Sequence, residues 1–300
     1  MKTGTVAIIG RPNVGKSTLL NAIIGEKISI VSKRPSTTRF KIIGNRTTDN
    51  YQILFIDTPG FDEPRTRLDE TLVSNIYSAI KETDIILFLI ESKGWINKDE
   101  EILQSIKKIR NKPVLLGINK IDLMPDYKQI LPLIDISNKK FKFSEIMPFS
   151  ALIKTNVSEI EKAIIKYLPE GEMLLPAEDT TSLSREYEIV EIIREKVFEA
   201  TYQEVPHSVA VELEDIQKGN KNPDMLVVKA NIIVERPNQK KIIIGENGEK
   251  IKNIGIKARE ELEFFTGQKV YLQLKVQVIE DWRNRPDVYR RFGYTGANIY

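Results

Sequence analysis

The stretch that decides the fold is Val6–Ser17, which reads VAIIGRPNVGKS. It begins with four apolar residues, typical of a buried strand, and ends with eight residues that match the pattern GxxxxGKS. A helical stretch, Ser17–Ile24, follows directly. A strand, a glycine-rich loop and a helix N-terminus in this order predict a loop that binds phosphate groups. The alternative, a glycine turn with an accidental Lys-Ser pair, leaves the flanking strand and helix unexplained.

The residue types of this loop suit a nucleotide with bound Mg²⁺. Glycine lets backbone N–H groups turn inward around a phosphate, and the helix N-terminus adds partial positive charge. We expect Lys16 to reach the β- and γ-phosphates and the Ser17 hydroxyl to bind Mg²⁺. The predicted nucleotide-binding residues of the loop are Gly10, Arg11, Pro12, Asn13, Val14, Gly15, Lys16, Ser17 and Thr18.

Four more apolar runs follow in the first half of the chain, at residues 53–56, 85–90, 114–118 and 146–149. Because their apolar residues are continuous rather than alternating, these strands are predicted to be covered on both faces. Polar stretches with helical spacing lie between them, for example Lys98–Arg110. This alternation predicts an α/β fold with a mostly parallel, doubly wound sheet, which binds ligands at the carboxyl ends of its strands.

The tetrapeptide Asp57–Gly60, DTPG, follows one of these strands. We expect Asp57 to hold Mg²⁺ through a water molecule and the Gly60 N–H to approach the γ-phosphate, with Thr58 and Pro59 beside them. Alone, the tetrapeptide is an ordinary turn, so its assignment depends on the phosphate loop.

A polar segment upstream, Ser36–Arg39, carries two candidates for a second Mg²⁺ ligand. A threonine here could reach Mg²⁺ and sense the γ-phosphate. We predict Thr38, with Thr37 as the alternative; a polar loop without this role also remains open.

The tetrapeptide Asn119–Asp122, NKID, predicts which base is bound. The Asp122 carboxylate can accept hydrogen bonds from guanine N1–H and the exocyclic amine, which adenine does not offer, so GTP is predicted over ATP. The Lys120 stem can cover the purine face, and Asn119 can brace the loop. The segment Ser150, Ala151 and Leu152 is predicted to supply backbone N–H contacts to guanine O6.

These motifs resemble the translation-factor class of GTPases across residues 1–168. Ras-like relatives carry a glutamine after DxxG that positions the attacking water, whereas this chain has Phe61 and resembles the subgroup with a hydrophobic residue there. Asn13 and the run Thr37–Arg39 resemble the residues found in GTPases that use K⁺ as a charge stabiliser. Asn13 would then be a K⁺ ligand, and bracing the loop is the alternative. The residues implied in hydrolysis are Lys16, Asn13, Thr38 and Gly60.

A different pattern begins near residue 170. Pro169, Gly171 and Pro176 interrupt the periodicity and predict a linker at residues 171–182, between a first domain at 1–170 and a smaller α+β domain at 183–300. The elements predicted for the second domain are a helix at Ser184–Ala200 capped by Ser184, strands at Val209–Ile216 and Leu226–Val234, an apolar turn at Ile242–Ile244, a helix at Glu249–Phe265 and a strand at Val270–Ile279.

The pentapeptide Ile244–Gly248, IGENG, between two helical segments, resembles the GxxG loop of KH domains, and the order helix-strand-strand-helix-helix-strand resembles the type II arrangement. Glu246 and Glu249 depart from the basic residues common in such loops. The loop residues predicted to contact RNA are Ile244, Gly245, Glu246, Asn247 and Gly248, assisted by Lys250 and Lys252.

The C-terminal tail interleaves arginines with aromatics, which suits contacts to phosphates and stacking on unpaired bases. The tail residues predicted to bind RNA are Trp282, Arg283, Arg285, Arg290 and Arg291. The alternative is that Trp282 and Phe292 pin the tail to the domain, and we assign that role to Phe292 first.

Composition narrows the class of protein. The 300 residues include no cysteine and one histidine, which excludes disulfides, thiol catalysis and cysteine or histidine-rich metal sites. The apolar runs fall short of the roughly 20 residues that span a bilayer, and the N-terminus lacks a signal peptide, so a cytoplasmic protein is expected. The net charge is +3, and its basic excess lies in residues 230–300. Taken alone, this excess is more typical of a solvated surface than of RNA binding.

The combination of motifs resembles the Era family of GTPases over essentially the whole chain. Leu168–Gly171, Glu204–Pro206 and Asp281–Arg283 are further shared features. The resemblance implies GTP/GDP and Mg²⁺, slow hydrolysis with K⁺ as a candidate stimulator, 16S rRNA near its 3′ end as partner, a role in small-subunit assembly, a monomer, and peripheral association with the inner face of the cell membrane. A tRNA-modification-type GTPase is the alternative, but those relatives carry a C-terminal cysteine and a folate-binding domain. A metabolic kinase is disfavoured by Asp122.

Overall fold

The computed structural model describes residues 1–29, 42–58, 60, 64–109, 111–181, 184–219, 222 and 224–294. These residues fall into two compact units. The first contains the described residues up to 64 and from 70 to 181, and the second contains residues 65–69 and the described residues from 184 to 294. None of the described helices has both the length and the apolar character needed to cross a membrane.

The first unit is built on a six-stranded sheet with the order β2-β3-β1-β4-β5-β6. All neighbouring strands run parallel except β2, which is antiparallel to β3. The strands are β1 Lys2–Gly10, β2 Ile42–Thr47, β3 Tyr51–Asp57, β4 Ile85–Glu91, β5 Val114–Asn119 and β6 Glu145–Pro148, and the helices that alternate with them are α1 Lys16–Ile24, α2 Arg67–Glu82, α3 Asn97–Ile106, α4 Ile130–Lys140 and α5 Val157–Tyr167.

The continuous apolar runs form the central strands, as predicted. Residues 85–90 of β4 and 6–9 of β1 are fully buried, because helices cover both faces of the sheet. The carboxyl ends of β1, β3, β4 and β5 therefore meet at one edge, where Gly10, Asp57, Glu91 and Asn119 end their strands. The sequence analysis missed β2, whose residues IIGNRT contain only two strongly apolar side chains.

The segment predicted as a linker is hydrogen-bonded to the first unit. Asn45 on β2 donates from Nδ2 to the carbonyl of Asp179 at 2.6 Å. Gln52 on β3 is fully buried; its Oε1 accepts the Leu174 N–H at 2.6 Å and its Nε2 donates to the Leu175 carbonyl at 2.7 Å. Two buried amides thus hold this irregular segment, which has no periodic pattern of its own.

The second unit contains a three-stranded sheet with the order β7-β8-β9, in which β7 and β8 are antiparallel and β8 and β9 are parallel. Helices α6 and α8 pack on one face, with Ile189, Ile193 and Leu262 against Val228 and Ala230. The elements are α6 Arg185–Ala200, β7 Ala210–Lys218, β8 Met225–Val234, α7 Pro237–Ile244, α8 Glu249–Thr266, β9 Lys269–Val278 and α9 Pro286–Arg291. The predicted order helix-strand-strand-helix-helix-strand is confirmed, and α9 follows it.

One local prediction for this unit was wrong, and another is confirmed for the position of the residue only. Ile242–Ile244 is not a turn but the end of α7, a helix that begins at Pro237 and is capped by the Gln239 side chain, whose Oε1 accepts the N–H groups of Glu235 and Arg236 at 3.0 Å. Ser184 does occupy the cap position of α6, but its side chain makes no capping hydrogen bond.

Candidate functional site

The phosphate loop leaves β1 at Gly10 and enters α1 at Lys16. Gly15 caps the helix with φ of 102°, a left-handed conformation that glycine adopts without strain. A Cβ atom at Gly15 would lie 2.2 Å from Asn119 Nδ2, so a side chain does not fit there. Asn13 lies exposed in the loop, with φ of 62°.

Lys16 is buried inside this loop. Its Nζ donates to the carbonyls of Gly10 at 3.0 Å and Arg11 at 3.1 Å. Burial lowers the pKa of Lys16 to about 8, although the nearby Asp57 carboxylate opposes this shift. An anionic phosphate in the loop would favour the charged form, so the geometry suits a phosphate ligand.

Asp57 is fully buried at the end of β3 and collects hydroxyl groups from two segments. Its Oδ2 accepts hydrogen bonds from Ser17 Oγ at 2.7 Å and Ser29 Oγ at 2.9 Å. Serine and aspartate oxygens beside a phosphate loop are the ligand types that Mg²⁺ prefers. Sequence reasoning found Ser17 and Asp57 but missed Ser29, because no local motif marks a contact across 28 residues.

The turn after β3 lies against the phosphate loop. A Cβ atom at Gly60 would come within 2.8–2.9 Å of Pro12, including its backbone, so only glycine fits this approach. Thr58 is buried and donates from Oγ1 to the Ile8 carbonyl at 2.9 Å, so its side chain joins β3 to β1. The predictions for Thr37, Thr38, Arg39, Pro59 and Phe61 lie outside the described residues.

The predicted base loop and the phosphate loop are joined by Asn119. Its Nδ2 donates to the Val14 carbonyl at 2.7 Å, while its Oδ1 accepts the N–H groups of Lys120 and Ala151 at 2.7 and 3.0 Å. Asn119 therefore braces the loop, as predicted from its position. The Ser150 hydroxyl donates to Asp122 Oδ1, which brings the last loop to the residue predicted to read guanine.

The three residues predicted to donate to guanine O6 have different hydrogen-bond partners and different exposure in this structure. The Ser150 N–H donates to the Thr155 carbonyl at 3.0 Å, and the Ala151 N–H to Asn119. Leu152 is 75% exposed. A contact of Ala151 with O6 would thus be shared with, or exchanged for, the Asn119 bond.

The second unit places the GxxG loop between α7 and α8. Gly245 and Gly248 have φ of 74° and 79°. A Cβ atom at Gly245 would lie 2.6 Å from the Lys250 Cβ, whereas nothing lies within 4 Å of a Cβ at Gly248. Glu246 and Asn247 are exposed at the tip. The backbone around Gly248 is thus open to a ligand.

A groove of about 380 Å³ runs beside this loop between α8 and β9. Ile251 and Leu272 belong to its apolar lining, and Lys252 and Arg259 supply positive charge. Tyr271, which is 55% exposed, lies along the same groove. Apolar surface bordered by cations can accept unpaired bases with their phosphates outside.

The prediction that Trp282 of the C-terminal tail binds RNA was wrong. Trp282 is fully buried, its Nε1 donates to the Ser208 carbonyl at 2.9 Å, and its ring packs against Phe292 and Tyr294. It cannot stack on a base without leaving the core, so Trp282 and Phe292 share the packing role that we assigned to Phe292 first.

The tail arginines have different environments. Arg283 is half-buried and makes two hydrogen bonds to Glu235, at 3.0 and 2.6 Å, so it too stabilises the fold. Arg285 and Arg291 pair with Asp287 and Glu212 but remain exposed, as does Arg290. Of the predicted tail contacts, these three are accessible to RNA.

The buried lysine, the Asp57 site and the base loop define a P-loop GTPase fold, joined in one chain to a KH fold. Family models agree: one described as "50S ribosome-binding GTPase" matches residues 5–120, and one described as "KH domain" matches residues 204–283. The GTPase Era of Aquifex aeolicus is 48% identical over 98% of this chain and 99% of its own, and that of Leuconostoc citreum is 42% identical over 99% and 98%. The chain belongs to the GTPase Era family.

Two solved structures of Era are also similar, each with a TM-score of 0.95 and 48% identity over 98% of this chain. One is an Aquifex aeolicus Era variant bound to GDP and AlF₄⁻, of which all residues are covered. The other is Era with MgGDPNP and nucleotides 1506–1542 of 16S ribosomal RNA, of which 99% is covered.

Proposed function

We propose that this protein is a GTP-hydrolysing switch that binds 16S rRNA near its 3′ end and acts in assembly of the small ribosomal subunit. The observation that carries the proposal is the open GxxG loop at Gly245–Gly248 beside the α8–β9 groove, in the same chain as a guanine-nucleotide site. The Era complex with 16S rRNA nucleotides supports the choice of RNA.

The nucleotide site is proposed to bind GTP or GDP with Mg²⁺. Lys16 would contact the β- and γ-phosphates, Ser17 would ligate Mg²⁺, and Asp57 would hold a metal-bound water. Their close packing supports these roles, as does the Era complex with MgGDPNP. Thr38 is proposed as the further Mg²⁺ ligand.

The RNA site is proposed to take a single strand. Its phosphates would lie against the loop backbone near Gly248, where no side chain obstructs them, and its bases would enter the groove beside Ile251 and Tyr271. Lys252 lines the groove, and Lys250 lies against Gly245 of the loop, so both would compensate for the negative charge of Glu246.

The remaining proposals come from the family resemblance. We propose a slow GTPase that K⁺ stimulates, with the exposed Asn13 as the side-chain ligand. If so, hydrolysis is faster in K⁺ than in Na⁺ at equal ionic strength and Asn13→Ala abolishes the difference; equal rates would leave Asn13 as a loop brace. We also propose a monomer that associates peripherally with the cell membrane.

From the residues Pro169, Gly171 and Pro176, which interrupt the periodicity, we propose domains at 1–170 and 183–300 joined by a linker at 171–182.

RNA crosslinking tests the proposed function. The full-length protein is mixed with an RNA of the 16S 3′ region or with a scrambled RNA, and Gly248→Asp is compared with Gly267→Asp. Both glycines flank α8 with left-handed φ, 79° and 66°, and neither has an atom within 4 Å of its Cβ position. We expect only Gly248→Asp to lose crosslinking, because it places bulk and negative charge at the RNA backbone. Equal behaviour of the two variants, or equal crosslinking of both RNAs, would contradict the proposal.

A further inference from the structure

The carboxylate of Glu91 joins two loops that the nucleotide motifs place on opposite sides of the ligand. Glu91 ends β4, and its side chain is only 12% exposed. Its Oε2 lies 3.1 Å from Nη2 of Arg11 in the phosphate loop, and its Oε1 forms a close ion pair with Nζ of Lys120 in the base loop. None of the sequence motifs includes Glu91.

A second acid completes this cluster. Asp99, at the start of α3, is fully buried, and its Oδ1 lies 3.3 Å from Nε of Arg11. Its Oδ2 accepts the N–H of Ile96 at 3.2 Å. Two cations thus face two carboxylates, so the charge of Arg11 is balanced within the protein.

Glu91 is ionised in this setting. Burial alone would raise the pKa of its carboxyl, but the hydrogen bond from Lys120 and the charge of Arg11 outweigh burial and lower it. The Glu91 carboxylate is therefore charged at neutral pH, and because its side chain is only 12% exposed, water screens it less than a carboxylate on the surface.

The backbone of Lys120 is fixed independently. Its carbonyl accepts a hydrogen bond from Ser92 Oγ at 2.8 Å, and its φ of 67° is left-handed. Because both the backbone and the ammonium group of Lys120 are held in place, the path of the side-chain stem between them is determined. That stem is the part of Lys120 expected to cover the purine.

We propose that Glu91 is a positioning residue for guanine nucleotides: it orients the Lys120 stem and ties it, through Arg11, to the phosphate loop. The neutral Asn119–Val14 hydrogen bond already joins the two loops, and Glu91 adds an ionic link that acts on the lysine side chain. The inference rests on the proposed base site at Asn119–Asp122, whose own test is the xanthine exchange at Asp122 described in the Discussion.

A positioning role and a merely structural role make different predictions. A structural ion pair affects the melting temperature but not the affinity of the folded protein. A positioning residue affects binding of GDP and GTP alike, so KM rises and kcat stays nearly constant. Its effect must also depend on Lys120, because it acts through that side chain.

The experiment measures the Kd of GDP and of a non-hydrolysable GTP analogue for Glu91→Gln, Lys120→Met and the double variant. Glu91→Gln is expected to weaken the binding of both nucleotides about 10-fold, which is a typical size for the coupling between two linked groups. The kcat of the variant should stay within about twofold of the wild-type value. The loss of affinity in the double variant should be clearly smaller than the product of the losses in the two single variants. Glu100→Gln, which removes the 2.6 Å ion pair between Glu100 on α3 and Lys140 on α4, is the control and should bind normally.

Unchanged nucleotide affinity in Glu91→Gln, or a double variant that shows the full product, would overturn the proposal. If Glu91→Gln fails to fold, Glu91→Asp keeps the charge on a shorter side chain that cannot span both cations. It should weaken binding by the same route, and wild-type affinity in Glu91→Asp would overturn the proposal equally. Loss of guanine selectivity is not expected in either variant, so failure here is distinguishable from failure of the Asp122 assignment.

Discussion

Asn119 occupies the space that a side chain on Gly15 would need. A Cβ atom built on Gly15 would lie 2.2 Å from Asn119 Nδ2, which donates to the Val14 carbonyl one residue earlier. The glycine of the phosphate loop is therefore required for contact with the base loop as well as for its own backbone conformation. The two halves of the nucleotide site are built as one unit.

Gly15→Ala tests this relationship. The added methyl group would displace Asn119 and separate the two loops, so we expect nucleotide affinity to fall about 100-fold, or about 2.8 kcal/mol. An unfavourable φ alone costs about 1–3 kcal/mol, so the comparison needs a control variant that carries the same strain without the Asn119 contact. Titration with a fluorescent GDP analogue measures it. Gly25→Ala is the matched control, because Gly25 ends the same helix with φ of 91° and nothing within 4 Å of its Cβ position. Equal losses in both variants would show that strain, rather than the Asn119 contact, matters.

Asp122→Asn tests base recognition. An amide can pair with the edge of xanthine but not with that of guanine, so the variant should lose GTP and gain xanthosine triphosphate. Competitive titration of the two nucleotides measures the exchange. Unchanged preference for GTP would remove Asp122 from the base site and would leave the Ser150–Asp122 hydrogen bond as a purely structural contact.

The lowered pKa of Lys16 predicts that the protein takes up protons when it binds a nucleotide. Burial lowers its pKa to about 8 in the free protein, and a bound phosphate should raise it again by favouring the ammonium form. At pH 8 about half of the free protein then lacks this proton, so binding takes up about 0.5 proton, and affinity falls as the pH rises further. Calorimetry in two buffers of different ionisation enthalpy measures the uptake. Absence of uptake at pH 8 would show that Lys16 is already fully charged.

Much of the fold was predictable because its signals are local. The apolar runs marked five strands of the first sheet, and GxxxxGKS, DTPG and NKID each lie at a strand end. The missing parts depend on contacts that no local pattern encodes. Ser29 meets Asp57 across 28 residues, and Glu91 gains its role only from its two partners.

The same reason explains the errors in the second half. Trp282 belongs to an arginine-rich stretch that suggests RNA contacts, but its ring is buried against Phe292 and Tyr294 and its Nε1 donates to the carbonyl of Ser208, 74 residues earlier. The segment at 171–182 carries breaker residues typical of a linker between domains, and no local pattern indicates its hydrogen bonds to the buried Asn45 and Gln52 side chains.

A GTP-hydrolysing switch that binds RNA requires the GTPase half to change the RNA affinity of the KH half, so RNA binding in two nucleotide states tests the proposed function most directly. The affinity for a single-stranded RNA of the 16S 3′ region is measured with GDP and with a non-hydrolysable GTP analogue. A coupling free energy of about 1–3 kcal/mol between nucleotide and RNA binding, which is typical, predicts about 5- to 150-fold tighter RNA binding with the analogue. Gly248→Asp should weaken binding in both states while nucleotide affinity without RNA stays intact. Identical RNA affinity of the wild-type protein in the two states would contradict the proposed switch and show two independent modules in one chain.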